Sequence, residues 1–188
     1  MEALLISAGV VALAEIGDKT QLLALVLAAK YRKPVPIILG ILVATLLNHA
    51  LAGVAGAALA AAVGPVAMRW ILGLSFIGMA VWTLIPDQYE EQSARPPRFG
   101  IFGATTLAFF LLEMGDKTQI ATVALAARFP SLLAVIAGTT LGMMLANVPA
   151  VLLGEAAAKK LPMRLVHGIA AAIFLVLGVM VLLNGGPG

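Results

Sequence analysis

The sequence contains no cysteine and little charge: of 188 residues, 11% are Asp, Glu, Lys or Arg, and 6% are aromatic. Ordinary soluble domains carry about 25% charged residues, so this composition excludes a soluble globular protein. Without cysteine, the chain can form no disulfide and offers no thiolate to a metal ion. Only two histidines are present, so a metal site in this chain is expected to consist mainly of oxygen ligands.

Hydrophobic residues make up 62% of the chain, which is enough for several membrane helices of about 20 apolar residues each. Apolar runs bounded by charge, Pro or Gly predict an all-α membrane protein with six transmembrane helices and short connections. No basic segment precedes the first run, which argues against a cleaved signal peptide. The predicted spans are about 3–29, 35–62, 67–86, 99–127, 131–158 and 164–184.

The two halves of the chain resemble each other. Residues 15–21 (EIGDKTQ) recur as residues 113–119 (EMGDKTQ), an offset of 98, and the same offset pairs Gly40 with Gly138 and Phe76 with Phe174. We therefore predict a three-helix repeat at 1–86, a cytoplasmic linker at 87–98 and a second three-helix repeat at 99–188. Because three is odd, the second repeat must cross the membrane in the opposite direction. Such a 3+3 inverted-topology repeat is typical of secondary transporters, whose binding sites lie near the midplane.

The basic residues of the loops predict the orientation. The connections after the first, third and fifth spans hold eight of them, and the opposite connections hold two. By the positive-inside rule, the basic side is cytoplasmic and both termini lie outside the cytoplasm, as in a protein of the bacterial inner membrane. The two groups are Lys30, Arg32, Lys33, Arg95, Arg98, Lys159, Lys160 and Arg164 against Arg69 and Arg128.

Six charged residues lie roughly midway along predicted spans, away from the span ends. Each charge at the bilayer centre costs about 2.5–3.5 kcal/mol on insertion scales, and such residues usually mark a functional site. The structural alternative is a set of buried salt bridges between helices. Three of the six are in the first span and three in the fourth: Glu15, Asp18, Lys19, Glu113, Asp116 and Lys117.

The spacing of these residues predicts a shared site. In a continuous helix, Glu15 and Asp18 share a face and Lys19 can pair with Glu15, while Gly17 permits a break or a close helix contact. The repeat symmetry would bring the second copy against the first. We therefore predict four carboxylate metal ligands, Glu15, Asp18, Glu113 and Asp116, with charge balance from Lys19 and Lys117. Additional oxygen ligands could come from Thr20, Gln21, Thr118, Gln119, Asn48 and Asn147.

This ligand set favours a particular substrate. Carboxylate and amide oxygens suit Mn²⁺, Ca²⁺ and Mg²⁺, and four carboxylates with two ammonium groups carry a net charge of about −2. Without metal, clustered buried carboxylates favour their protonated form, so metal binding would release protons. His49 aligns with Asn147 at the offset of 98. It is a candidate ligand or proton relay, or only a hydrogen-bonding group between helices.

The duplicated Glu-x-Gly-Asp-Lys-Thr motif, at 15–20 and 113–118, resembles the small cation/proton antiporter family within the LysE-type superfamily. That family includes the yeast Golgi calcium/manganese transporter and MneA-type manganese exporters. The resemblance covers essentially the whole chain and implies export of Mn²⁺, or of Ca²⁺ next, in exchange for protons, with the four motif acids as the transport site. It implies no cofactor besides the transported ion. The short chain resembles the bacterial members.

Two other functions stay open at this point. The superfamily also contains exporters of amino acids and other small solutes, although four acids are a poor receptor for an α-carboxylate. Two membrane aspartates also resemble those of intramembrane aspartyl proteases, but no Tyr precedes Asp18 or Asp116. We therefore expect a transporter and not an enzyme, with the bilayer, a divalent cation and protons as partners. No nucleic acid is expected, and a homodimer is left open.

Overall fold

The computed structural model describes residues 1–85, 100–153 and 163–183, and within these ranges all of the regular secondary structure is α-helix. The predicted linker at 87–98 lies outside the described residues, as do Lys159 and Lys160. Eight helices are present in the described part: α1 Glu2–Glu15, α2 Lys19–Tyr31, α3 Pro34–Ala62, α4 Pro65–Thr83, α5 Gly100–Glu113, α6 Lys117–Arg128, α7 Leu132–Leu153 and α8 Met163–Leu183.

The helices have the length and surface of a membrane protein. Among the described residues, α3, Val66–Thr83 of α4, and α7 are each long and apolar enough to cross a bilayer, and α5 is a shorter apolar helix. Large apolar side chains such as Leu47, Leu74 and Leu145 lie exposed on the outside of the bundle. In water, so much exposed apolar surface would drive aggregation, whereas lipid tails can cover it. The prediction of an all-α membrane protein is confirmed.

The first and fourth predicted spans are not continuous helices. In the first, α1 ends at Glu15 and α2 begins at Lys19, and in the fourth, α5 ends at Glu113 and α6 begins at Lys117. Gly17 and Gly115 have φ angles of 84° and 78°, a left-handed conformation that costs a side-chain-bearing residue about 1–2 kcal/mol. The spans predicted at 3–29 and 99–127 are therefore each interrupted at the motif, and of the two roles allowed for Gly17, a helix break or a close helix contact, the structure shows the break.

The two halves of the chain pack against each other at matched glycines. A Cβ atom at Gly138 of α7 would clash with the carbonyl oxygen of Leu4 in α1, and a Cβ atom at Gly40 of α3 would lie 3.0 Å from the carbonyl oxygen of Phe102 in α5. Gly138 and Phe102 lie 98 positions after Gly40 and Leu4. The two close contacts are therefore copies of one contact, made once by each half on the other.

The same contacts give the directions of these helices. In α7, Gly138 packs on Leu4 of α1 and Gly142 packs on Ala8, so α1 and α7 run in the same direction. In α3, Gly40 packs on Phe102 of α5 and Asn48 bonds Phe110 farther along. The α3 and α5 helices are therefore parallel as well.

The last long helices of the two halves, α4 and α8, also meet. Phe76 of α4 stacks on Phe174 of α8 with ring centroids 6.4 Å apart, and both rings are buried in the main apolar core. These residues correspond at the offset of 98. A residue that packs on its own counterpart lies next to the axis that relates the two copies, so these rings mark that axis.

Candidate functional site

The two helix breaks have the same local structure. The amide oxygen of Gln21 accepts a hydrogen bond from the backbone N–H of Gly17 at 2.9 Å, and that of Gln119 accepts one from Gly115 at 2.7 Å. Each glutamine is the third residue of the new helix and reaches back across its start, as the corresponding residue does in a capping box. Gln21 and Gln119, which were predicted as additional oxygen ligands, therefore stabilise the two helix breaks.

Two ion pairs connect the halves. The ammonium Nζ of Lys19 lies 2.7 Å from Asp116 Oδ1, and that of Lys117 lies 2.7 Å from Asp18 Oδ1. The expected pairing of Lys19 with Glu15 assumed a continuous helix. Because the chain breaks between these residues, Lys19 instead binds the aspartate of the other motif.

The two ion pairs differ in their surroundings. The Lys19 side chain is 24% exposed, whereas Lys117, Asp18 and Asp116 are at most 1% exposed. One lysine is thus reachable from the protein surface, and the other is enclosed among helices.

The two glutamates are buried next to the ion pairs. Glu15 accepts hydrogen bonds from the Thr20 hydroxyl and from Asn147 Nδ2, the latter at 3.0 Å, and Glu113 accepts one from the Thr118 hydroxyl at 2.7 Å. Glu15 and Glu113 also lie close enough to interact electrostatically. The structure therefore brings all four predicted carboxylates to one region, where both helices of each broken pair meet.

Several buried oxygens at this place accept no hydrogen bond within the described part of the chain. A buried acceptor without a donor costs about 1–3 kcal/mol, which a bound cation would recover. The amide oxygen of Asn48 also accepts no hydrogen bond there, although its Nδ2 donates to the carbonyl of Phe110 at 3.1 Å. These oxygens are Glu15 Oε2, Glu113 Oε1, Asp116 Oδ2, Asn48 Oδ1 and Asn147 Oδ1.

The carboxylates do not form a finished coordination shell. In residues 1–85, 100–153 and 163–183, no three Asp, Glu or His side chains are close enough together to hold a metal ion. Both aspartates are bound by lysine ammonium groups, and the threonine hydroxyls point at the glutamates. Ligation by all four acids stays a prediction, and it requires the lysines to leave the aspartates.

Sequence reasoning missed one polar contact at the site. The Nε2 atom of His167 in α8 lies 3.1 Å from the carbonyl oxygen of Ile16, within the first helix break. Since a carbonyl only accepts, Nε2 must carry the proton in this contact. The partner of His167 depends on how α8 packs, and no spacing within the sequence indicates it.

Interrupted membrane helices that bring carboxylates together inside a bundle are typical of secondary transporters. The chain belongs to the family described as divalent cation/proton antiporter GDT1, whose model matches residues 3–91 and 101–187. It is also similar to a curated protein of Vibrio cholerae serotype O1 named "Putative manganese exporter". The two are 52% identical over 178 residues, which cover 94% of this chain and 88% of the relative. No solved structure matches the chain.

These comparisons confirm the family resemblance drawn from the motif. The protein is an integral membrane protein that transports a divalent cation, and it is not an enzyme.

Proposed function

We propose that the protein exports Mn²⁺ from the cytoplasm in exchange for protons, by alternating access of one site formed by the two motifs. The observation that carries this proposal is the pair of ion pairs between the halves, each 2.7 Å long, beside buried glutamate oxygens that have no hydrogen-bond donor within the described residues. The site holds cationic groups on two of its acids and has unused oxygen ligands on the other two.

The ammonium groups act as internal cations in this proposal. Lys19 and Lys117 neutralise Asp116 and Asp18 while no metal is present. An arriving Mn²⁺ displaces them, and the four carboxylates then gather around the metal. Protons held by the acids are released at that step, since a metal binds the deprotonated carboxylate. When Mn²⁺ leaves on the other side, protons and the lysines take its place.

The repeat architecture supports alternating access. We propose six spans arranged as a 3+3 inverted repeat, with the broken pairs α1–α2 and α5–α6 each crossing the membrane once. The matched glycine contacts and the stacking of Phe76 on Phe174 support this arrangement. With the basic connections in the cytoplasm, both termini lie outside, as in a bacterial inner membrane. One repeat can then move relative to the other around a fixed site.

The choice of Mn²⁺ rests on the ligands and on the relative. The ligands predicted from the two motifs are all oxygens, which suit both Mn²⁺ and Ca²⁺, and the name of the Vibrio cholerae protein refers to manganese. Ca²⁺ is the second candidate.

Proton flux in liposomes tests this function. Purified protein is reconstituted with a pH-sensitive dye inside, and Mn²⁺, Ca²⁺ or Mg²⁺ is added outside. We expect Mn²⁺ to enter and to raise the internal pH, with a smaller response to Ca²⁺, because each entering metal drives protons outward. Protein-free liposomes give the background, and a protonophore shows that the dye reports a proton gradient. Uptake of Mn²⁺ without any change in internal pH would contradict proton exchange.

A further inference from the structure

His49 of α3 is a buried side chain for which the described structure provides no hydrogen-bond partner. The residue is 0% exposed, and neither Nδ1 nor Nε2 makes a hydrogen bond within the described residues. A neutral imidazole has one donor and one acceptor, and leaving both unpaired inside a protein costs about 1–3 kcal/mol each. The cost suggests that the ring serves a group that is absent from the polypeptide.

The packing of the two halves shows where this ring lies. Its counterpart at the offset of 98 is Asn147, which donates to Glu15 at 3.0 Å. The parallel helices α3 and α5 are in register from Gly40 beside Phe102 to Asn48 beside Phe110. Because Asn147 contacts Glu15, the repeat symmetry predicts that their counterparts at the offset of 98, His49 and Glu113, lie beside each other in the same way.

At this level the two halves differ in chemistry. Around Glu15, an amide N–H of Asn147 donates a hydrogen bond to one carboxylate oxygen. At the corresponding position near Glu113, the imidazole of His49 replaces the amide, and Glu113 Oε1 accepts no hydrogen bond within the described part of the chain. A nitrogen lone pair and a carboxylate oxygen, both buried and both without hydrogen-bond partners there, are two groups of the kind that bind a transition-metal ion.

We propose that His49 is a nitrogen ligand of the transported ion, bound together with Glu113, and that it selects Mn²⁺ over Ca²⁺. This inference rests on the proposed function and adds a ligand to that site. Ca²⁺ and Mg²⁺ take oxygen ligands almost exclusively, whereas imidazole binds transition metals well. One nitrogen among carboxylates therefore lowers the relative affinity for Ca²⁺ without excluding Mn²⁺.

The substitution His49→Asn gives both halves the same residue at this position. We expect it to weaken Mn²⁺ binding by at least about tenfold, the lower end of the effect of losing metal-site interactions, and to change Ca²⁺ binding by less than about threefold. Titration calorimetry of the purified protein with each metal alone measures both affinities. Equal loss for the two metals would show a structural role and overturn the selection.

Pulsed electron paramagnetic resonance of bound Mn²⁺ gives an independent readout from the wild-type protein, since modulation of the spin echo detects a coordinating nitrogen-14 nucleus. The chain has two histidines, so the control for His49→Asn is His167→Asn, which makes the same change at the other one. We expect nitrogen modulation in the wild type and in His167→Asn, and its loss in His49→Asn. Bound Mn²⁺ without nitrogen modulation in the wild type would overturn the role of His49 and leave the proposed function standing. Failure of Mn²⁺ to bind at all would instead overturn the proposed function.

Discussion

Asp18→Asn and Asp116→Asn will each reduce Mn²⁺-driven proton flux in liposomes by at least about 100-fold. Loss of a partner that only supports a metal ligand already costs 10–100-fold in affinity or activity, and the account makes each aspartate a ligand. The amide also removes one negative charge, which leaves the site at about −1 for a divalent ion. Asparagine has nearly the same size, but it leaves the ammonium group of Lys117 or Lys19 without its carboxylate partner, so the flux is compared at equal amounts of folded protein.

Glu2→Gln is the matched control for this loss. It makes the same chemical change from carboxylate to amide, but Glu2 is exposed in the first turn of α1, outside both motifs. This variant should retain the flux of the wild type. If either aspartate variant moved Mn²⁺ as fast as the control, the proposed ligand set would be wrong.

Lys117→Met will lower the free energy of unfolding by about 3–5 kcal/mol, the cost of breaking a buried ion pair by removing one partner. Lys117 and Asp18 are both at most 1% exposed, so water cannot replace the ammonium that binds Asp18. Lys19→Met removes the equivalent pair with Asp116, but the side chain of Lys19 is 24% exposed. Its loss should therefore cost markedly less. Chemical denaturation in detergent, followed by circular dichroism, measures both variants.

The double variant Lys117→Met with Asp18→Asn separates the interaction between the two side chains from the interactions that each makes with the rest of the protein. With the carboxylate also removed, no buried charge is left behind, and much of the lost stability should return. A double-mutant cycle then gives the coupling between the two side chains. Additive effects of the two substitutions would show that the observed pair contributes nothing to the fold.

The meeting of the four motif acids could be predicted from the sequence, because charged residues in apolar membrane segments need partners. Glu15, Asp18, Glu113 and Asp116 are charged residues in apolar segments, and the cost of burying them makes a shared site the simplest explanation. The offset of 98 also related Gly40 to Gly138 and Phe76 to Phe174, and these residues make the matched contacts between the halves.

The details of the site could not be predicted in the same way. The run of apolar residues does not indicate that a helix ends at the motif, and Gly17 only permits the positive φ found at the break. Once the helix breaks, Lys19 no longer faces Glu15, and its partner is decided by how the two halves pack. The contact between His167 and Ile16 has the same origin. Relations between distant segments depend on tertiary packing and leave no pattern of spacing.

Anomalous diffraction from crystals soaked in Mn²⁺ tests the central claim most directly. The account predicts one strong manganese peak between the two helix breaks, within bonding distance of carboxylate oxygens of both motifs, with Lys19 and Lys117 displaced from the aspartates. Glu15 and Glu113 should each supply at least one oxygen. A peak elsewhere on the molecule, or none between the breaks at saturating Mn²⁺, would contradict a duplicated cation site shared by the two halves.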